Sequence, residues 1–237
     1  MIEIGKRNDI RLINCWTDAK FTQEEKRSMR EVKVLEHPLV AHHLTVLRNR
    51  ETPTWEFRQT VNRLSMLLAY EATKGLPTED LPVETPITRT IGKRLQGRIG
   101  IVPILRAGLG MVDAMLQVLP MAEVWHLGLY RDEETARPVS YYNKLPKTNP
   151  VDMAFILDPM LATGGSAQAA YQALERWGVG TIKMLSVIAV PEGISQLRAS
   201  CPKIEIHTCS VDQGLNEHKF IVPGLGDAGD RIFNTLH

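Results

Sequence analysis

Cysteine is scarce in this 237-residue chain: Cys15, Cys201 and Cys209 are odd in number and form no Cys-x-x-Cys pair. That excludes a disulfide framework, and the three read as reduced thiols, buried or incidental rather than nucleophilic. An excess of one charge is lacking too. Twenty-eight Lys and Arg face 27 Asp and Glu, for a net +1, which leaves no broad basic field for nucleic acid and no acidic tail. No apolar run is long enough to span a bilayer, and Met1–Asn8 lacks the apolar core of a secretion signal, so the expectation is a cytoplasmic protein with no membrane partner. Repeats and low-complexity segments are missing as well. What is there is ordinary: 43% hydrophobic and 23% charged residues, enough chain for a sizeable core.

One stretch organises the rest. Met153–Leu157 is an apolar run ending on Asp158, and five to eight residues on, Thr163-Gly164-Gly165-Ser166 opens a pattern with Ala167, Ala170, Leu174 and Trp177 at helical spacing. A buried parallel strand, a glycine-rich turn and a helix N-terminus make a phosphate site. The glycines let backbone N–H groups approach the oxygens, and the first helical turn supplies unpaired amides. Asp158 falls at the carboxyl end of its strand, where open α/β sheets bind ligands, and can accept from two hydroxyls. Phosphate plus hydroxyl acceptor suggests a ribose phosphate. The spacing fits neither a Walker A loop nor a Gly-x-Gly-x-x-Gly dinucleotide loop.

A second unit of the same kind lies upstream. Ile99–Leu105 reads as a strand, Arg106-Ala-Gly-Leu-Gly110 as its turn and Met111–Leu119 as a helix. An arginine at a strand's carboxyl end suits a diphosphate, which its planar fork meets bidentately. Elsewhere, His37-Pro38 starts a helix through Leu47, with His37, His42 and His43 as surface or cap residues. Residues 54–74 form a helix with Phe57, Val61, Leu64 and Leu68 on one stripe and Pro53 at its first turn. Residues 76–98 read as a loop or short hairpin, Val124–Tyr130 as a strand, and 131–150 as a projecting β-hairpin arm or lid. Ile182–Val190 is a strand, Ser195–Ser200 a short helix and Ile204–Cys209 an alternating strand. Residues 212–230 are a glycine-dense loop suited to the edge of a flat heterocycle. Residues 1–31 read as an N-terminal extension, with a candidate capping box at Thr22–Glu25, expected to pack loosely or to mediate oligomer contacts, ahead of one domain over 32–237. The alternation of strands and helices gives an α/β class with a mostly parallel central sheet flanked by helices.

The motifs Val102–Met111, Tyr130–Thr135, Tyr141–Pro146, Leu157–Ser166 and Pro223–Asp230 together resemble those of the uracil phosphoribosyltransferase family, in its order, over roughly residues 32–236. The resemblance implies a type I phosphoribosyltransferase fold, a β-hairpin arm at about 131–150 and a base-binding loop at about 212–230. It implies the conversion of uracil and 5-phosphoribosyl 1-diphosphate to UMP and diphosphate, with Mg²⁺ carried on the diphosphate and no metal held directly by side chains. By the same resemblance Ala162, Thr163, Gly164, Gly165 and Ser166 hold the 5′-phosphate, with Pro159, Met160 and Leu161 leading into them from Asp158, which faces the ribose hydroxyls. Arg106 and Arg131 take the diphosphate. Main-chain groups of Ile221, Gly226 and Ala228 read uracil, and Asp227 sits beside the ribosyl diphosphate. The catalytic set it implies is Arg106, Arg131 and Asp227.

Phe220 stands where the family often has Tyr, which removes one hydroxyl beside the base loop. A homo-oligomer, dimer or higher, and a nucleotide effector such as GTP also follow from the resemblance alone. The alternative from another class is a non-catalytic regulator that keeps the ribosyl-diphosphate pocket to sense nucleotides.

Overall fold

The computed structural model describes residues 32–131, 138–143 and 145–235. Cys15 and the Thr22–Glu25 capping box lie outside them. In chain order the elements are β1 (Lys33–Val34), α1 (Pro38–Arg48), α2 (Thr54–Ala72), β2 (Thr78–Glu84), β3 (Arg89–Leu95), β4 (Ile99–Pro103), a 3₁₀ turn (Ala107–Met111), α3 (Val112–Val118), β5 (Glu123–Val124), β6 (Leu127–Arg131) and β7 (Pro138–Asn143). There follow β8 (Met153–Leu157), β9 (Met160–Leu161), α4 (Gly165–Trp177), β10 (Thr181–Ala189), α5 (Pro191–Ser200), β11 (Glu205–Val211), β12 (Gly214–Leu215), β13 (Ile221–Val222) and α6 (Ala228–Phe233).

The main sheet runs β1-β11-β10-β8-β4-β5, with β9 beside the far end of β10, and its pairings are parallel. Both of its faces are covered, and β8 shows how. Phe155 and Leu157 enter the core under α2 and α3 with Phe57, Leu64, Leu68 and Met115. Ala154 and Ile156 enter the opposite core under α4 and α5 with Ala170, Leu174, Ile194 and Leu197. A period of two feeding two cores is why these strands read as unbroken apolar runs.

Several boundaries differ from the sequence expectation. Pro53 is the N-cap of α2 rather than its first residue: its backbone is extended, and its carbonyl accepts from Glu56 and Phe57 at 3.0 and 2.9 Å. Val124–Tyr130 is two strands. Glu123–Val124 pairs with β4, whereas Leu127 only bridges Ile104 before β6 turns out of the sheet to pair antiparallel with β7. The arm therefore begins at Leu127, not 131, and residues 132–137 lie outside the described ones. Residues 76–98 form the antiparallel hairpin β2–β3. Helix α5 begins at Pro191, in the first-turn place where proline is pre-set for a helix. Strand β11 does not alternate, because β1 and β10 flank it and both faces are covered. Residues 212–230 are not one irregular loop: they hold the small hairpin β12–β13 and the start of α6. Cys201 and Cys209 are buried free thiols, pushed up to about 11 and about 12 by that burial. His37 caps α1, its Nδ1 accepting from the Leu39 N–H at 3.1 Å.

Candidate active site

Three chain segments meet at the carboxyl edge of the sheet. Strands β4 and β8 pair in register through Pro103 and Leu157, and the Ile104 N–H donates to the Leu157 carbonyl at 2.9 Å. The turn carrying Arg106 and the turn carrying Asp158 therefore leave the sheet side by side. Helix α6 packs against the first of them. Gly229 lies between Arg106 and Asp227: a Cβ there would stand 3.2 Å from Asp227 Oδ1 and 3.7 Å from Arg106 Nη2.

Asp158 follows the last residue of β8, as the strand pattern required. It is half-buried, with Oδ1 accepting from the Met160 N–H at 3.3 Å. Burial of the carboxyl, with the charge of Asp227 adding to it, pushes its pKa up to about 7, against the lowering effect of the Met160 hydrogen bond. A carboxyl at a strand's carboxyl end, perturbed by desolvation and a like charge, is a common mark of a functional site.

The turn after Asp158 is more structured than a plain loop. The Pro159 carbonyl accepts from the Val187 and Ile188 N–H groups, both at 3.0 Å, and β9 pairs Met160 with Ile188 and Leu161 with Ala189. Leu161 is buried in the core under α4, so only its backbone faces the turn. Gly164 is the N-cap of α4 at φ +79°, with no side chain capping the helix, which leaves the first-turn amides for an outside acceptor. Ala167, Ala170, Leu174 and Trp177, expected on one face, are all buried there.

Arg106 Nη2 pairs with Asp230 Oδ1 at 2.9 Å, and its Nη1 reaches Thr235 Oγ1 at 3.5 Å. Thr235 Oγ1 in turn donates to Asp230 Oδ1 at 2.7 Å. Asp227 is the N-cap of α6, with Oδ1 accepting from the Asp230 N–H at 2.9 Å. Ala228 is buried in the first turn of that helix, Ile221 pairs with Leu215 across β12–β13, and Gly226 is exposed at φ +78°. Arg131 ends β6, at the opposite end of that strand from Leu127, where the arm begins, and its side chain lies outside what the structure describes.

Sequence reasoning missed four residues here: Arg48, Asp230, Arg231 and Thr235. Arg231 lies 4.2 Å over the Phe57 ring and donates to the carbonyls of Leu47, Leu225 and Asn49. Asp230 closes the Pro223–Asp230 motif without a role suggested by its spacing, the other three stand in no motif, and Arg48, Arg106 and Arg231 reach partners more than 100 positions away. A cavity of about 430 Å³ lies at the other edge of the sheet, bordered by Lys33, Arg98, Asp152, Lys183 and Glu205. Arg98 pairs with Glu123, and Lys33 and Lys183 share Glu205. The chemistry gathers at the carboxyl edge instead.

A sequence model of the family "Uracil phosphoribosyltransferase" matches residues 34–235. The chain belongs to the uracil phosphoribosyltransferase family. A uracil phosphoribosyltransferase of Roseiflexus sp. strain RS-1 is 54% identical over 207 residues, which are 87% of this chain and all of that one. One of Streptococcus pneumoniae strain R6 is 50% identical over 208 residues, again 87% of this chain and all of the other. Among solved structures, the AQ2163 protein of Aquifex aeolicus superposes with a TM-score of 0.80 at 38% identity, over 85% of this chain and 97% of that one. The type I phosphoribosyltransferase architecture expected from the motifs is the one found: a mostly parallel sheet between helices, with the hairpin β6–β7 leaving it.

Proposed function

We propose that this chain is an enzyme that makes UMP and diphosphate from uracil and 5-phosphoribosyl 1-diphosphate. The observation that carries the proposal is the meeting of Arg106, Asp158 and Asp227 beside the uncapped N-terminus of α4, in a chain of this family. Ala162 to Ser166 hold the 5′-phosphate on helix-terminus amides, and Asp158 accepts from the ribose hydroxyls. As the C1–O bond to diphosphate breaks, the bonding electrons leave with the diphosphate, and Arg106 and Arg131 stabilise that growing negative charge. N1 of uracil forms the new bond to C1 as its N–H bond breaks, and the N1 proton is released to water, no side chain being assigned as its base. Main-chain groups of Ile221, Gly226 and Ala228 fix the ring. An N–H facing O4 and a carbonyl facing N3–H reject cytosine, whose pattern is reversed there, because mismatched buried polar groups discriminate strongly.

Mg²⁺ fits this site as a cation brought in on the diphosphate. Asp158 and Asp227 lie close enough for the charge of one to raise the other, an acidic pair suited to the water shell of a cation. Among the described residues no group of three or more His, Cys, Asp or Glu side chains is arranged to hold a metal. The ion, when bound, neutralises charge on the diphosphate. A homo-oligomer is supported by the hairpin β2–β3, which presents Ile87 at 94% and Ile91 at 60% exposure. A GTP-type effector rests on the family resemblance. The protein acts in the cytoplasm; among the described residues no helix is long and apolar enough to cross a membrane.

The test is UMP formation with Mg²⁺ from uracil and 5-phosphoribosyl 1-diphosphate, with cytosine, hypoxanthine and orotate in parallel and GTP added in a second series. Product from uracil alone is the expected result. Absence of product from every base, with and without GTP, overturns the proposal.

A further inference from the structure

Asp212 closes the carboxyl end of β11, its N–H donating to the Ala189 carbonyl at 2.7 Å. Its carboxylate is almost fully buried, at 2% side-chain exposure, and its acceptor positions are taken. Oδ1 accepts from Arg48 Nη2 at 2.6 Å and from Ser210 Oγ at 2.9 Å; Oδ2 accepts from Arg48 Nη1 at 2.7 Å and from the Gly224 N–H at 3.0 Å. Arg48 Nη1 also donates to the Gly224 carbonyl at 2.9 Å. The pair therefore grips the N–H and the C=O of one residue at once.

We infer that Arg48 and Asp212 are positioning residues that set the direction of the main-chain edge by which the base is read. This rests on the uracil-reading role of residues 221–228 proposed above. Gly224 lies between Ile221 and Gly226, two of the expected readers. The next residue is held as well, since Arg231 Nη1 donates to the Leu225 carbonyl at 2.7 Å. Burying an ion pair is costly, and packed apolar side chains of the same volume hold a fold at least as well. What apolar side chains cannot do is fix which way a peptide N–H and carbonyl point. Base choice by main-chain groups depends on that direction, because uracil and cytosine differ at O4 and N3 by reversal of donor and acceptor. Neither Arg48 nor Asp212 is assigned a contact with substrate.

The experiment compares wild type, Arg48→Lys, Arg48→Met, Asp212→Asn and the double variant Arg48→Lys/Asp212→Asn in the full chain. KM for uracil, KM for 5-phosphoribosyl 1-diphosphate, turnover of cytosine and Tm are measured separately. Lysine keeps the charge beside Asp212 but lacks the fork that reaches both carboxylate oxygens and the Gly224 carbonyl, so Arg48→Lys reads positioning even where Arg48→Met unfolds. We expect the uracil KM to rise at least about tenfold while the KM for the ribosyl diphosphate stays within about twofold, since misplacing one reactant penalises that reactant. The uracil-to-cytosine preference should fall with it. The double variant should be no worse than the poorer single variant, because the two residues act as one unit. An unchanged uracil KM in Arg48→Lys, or a parallel rise of both KM values, overturns the inference. A wild type that makes no UMP fails the proposed function instead, before any variant is compared.

Discussion

Asp158 and Arg106 are two ionisable side chains at the carboxyl edge of the sheet, and each sets up a measurable conflict. In the unfolded chain the Asp158 carboxyl titrates near 3.8; in the folded chain it is pushed up to about 7 by burial and by Asp227. Between those values the folded state keeps a proton that the unfolded state has released. Its contribution to stability therefore falls as pH rises from about 4 to about 7, and the loss is complete above that. Asp158→Asn has no such titration. We expect its Tm to exceed that of wild type at about pH 8 and to match it near about pH 4, while kcat/KM falls at both. Thermal melts at the two pH values decide it, and an equal Tm difference at both would contradict the assignment. Arg106 poses the opposite case. Its pairing with Asp230 is largely open to water, with 59% and 31% of the side chains exposed, so it adds little to folding. Arg106→Ala should lower kcat/KM at least about tenfold, as loss of a charged donor at the leaving group does. It should change stability by no more than about 1 kcal/mol. Unchanged kinetics would remove it from the diphosphate site.

At the scale of elements, the phosphate turn is shaped by a helix that sequence reading placed only in part. A Cβ on Gly193 of α5 would stand 2.2 Å from the Ala162 carbonyl oxygen and 2.9 Å from that of Leu161. Both are backbone atoms of the turn and cannot swing aside as a side chain would. Gly164 meets the same helix from the other side: at φ +79° its Cβ would stand 2.8 Å from the Gly193 carbonyl oxygen. Gly193→Ala should therefore push the turn off α5 and raise the KM for the ribosyl diphosphate about tenfold or more. The uracil KM, measured at saturating ribosyl diphosphate, should move much less. Equal changes in both would mean a general loss of fold. These relations also explain what was legible beforehand. The strand ending on Asp158, the stripe on α4 and the arginine turn after β4 were readable because period and glycine chemistry are local signals. The pairing of β9 with β10, the splitting of β5 from β6 and the approach of Gly193 to Ala162 depend on residues far apart in sequence, where no local period exists. The hold of Arg48 on Gly224 was invisible for the same reason, since 176 positions separate them.

For the whole molecule, the open matter is how much of the chain the fold and its chemistry require. The family model begins at residue 34, and the relatives cited match over their full length while covering 87% of this chain. Just there, Lys33 and Val34 pair with His207 and Thr208 as strand β1. The first strand of the domain proposed over 32–237 is thus made by residues that follow 31. Lys33 also contributes an ion pair to Glu205 at 3.2 Å, so a cut after residue 33 would remove a pairing partner, whereas a cut after 31 would not. A chain starting at residue 32 should keep kcat/KM for uracil and for the ribosyl diphosphate within about twofold of the full chain and unfold in one transition. A chain starting at residue 36 loses β1 and exposes the edge of β11, whose row of free N–H and C=O groups invites pairing with other chains. We expect it to melt lower and to aggregate at concentrations where the longer form does not, measured by thermal melts and light scattering. Equal behaviour of the two truncations would show that β1 adds nothing. Loss of activity in the chain starting at 32 would place residues 1–31 inside the working enzyme.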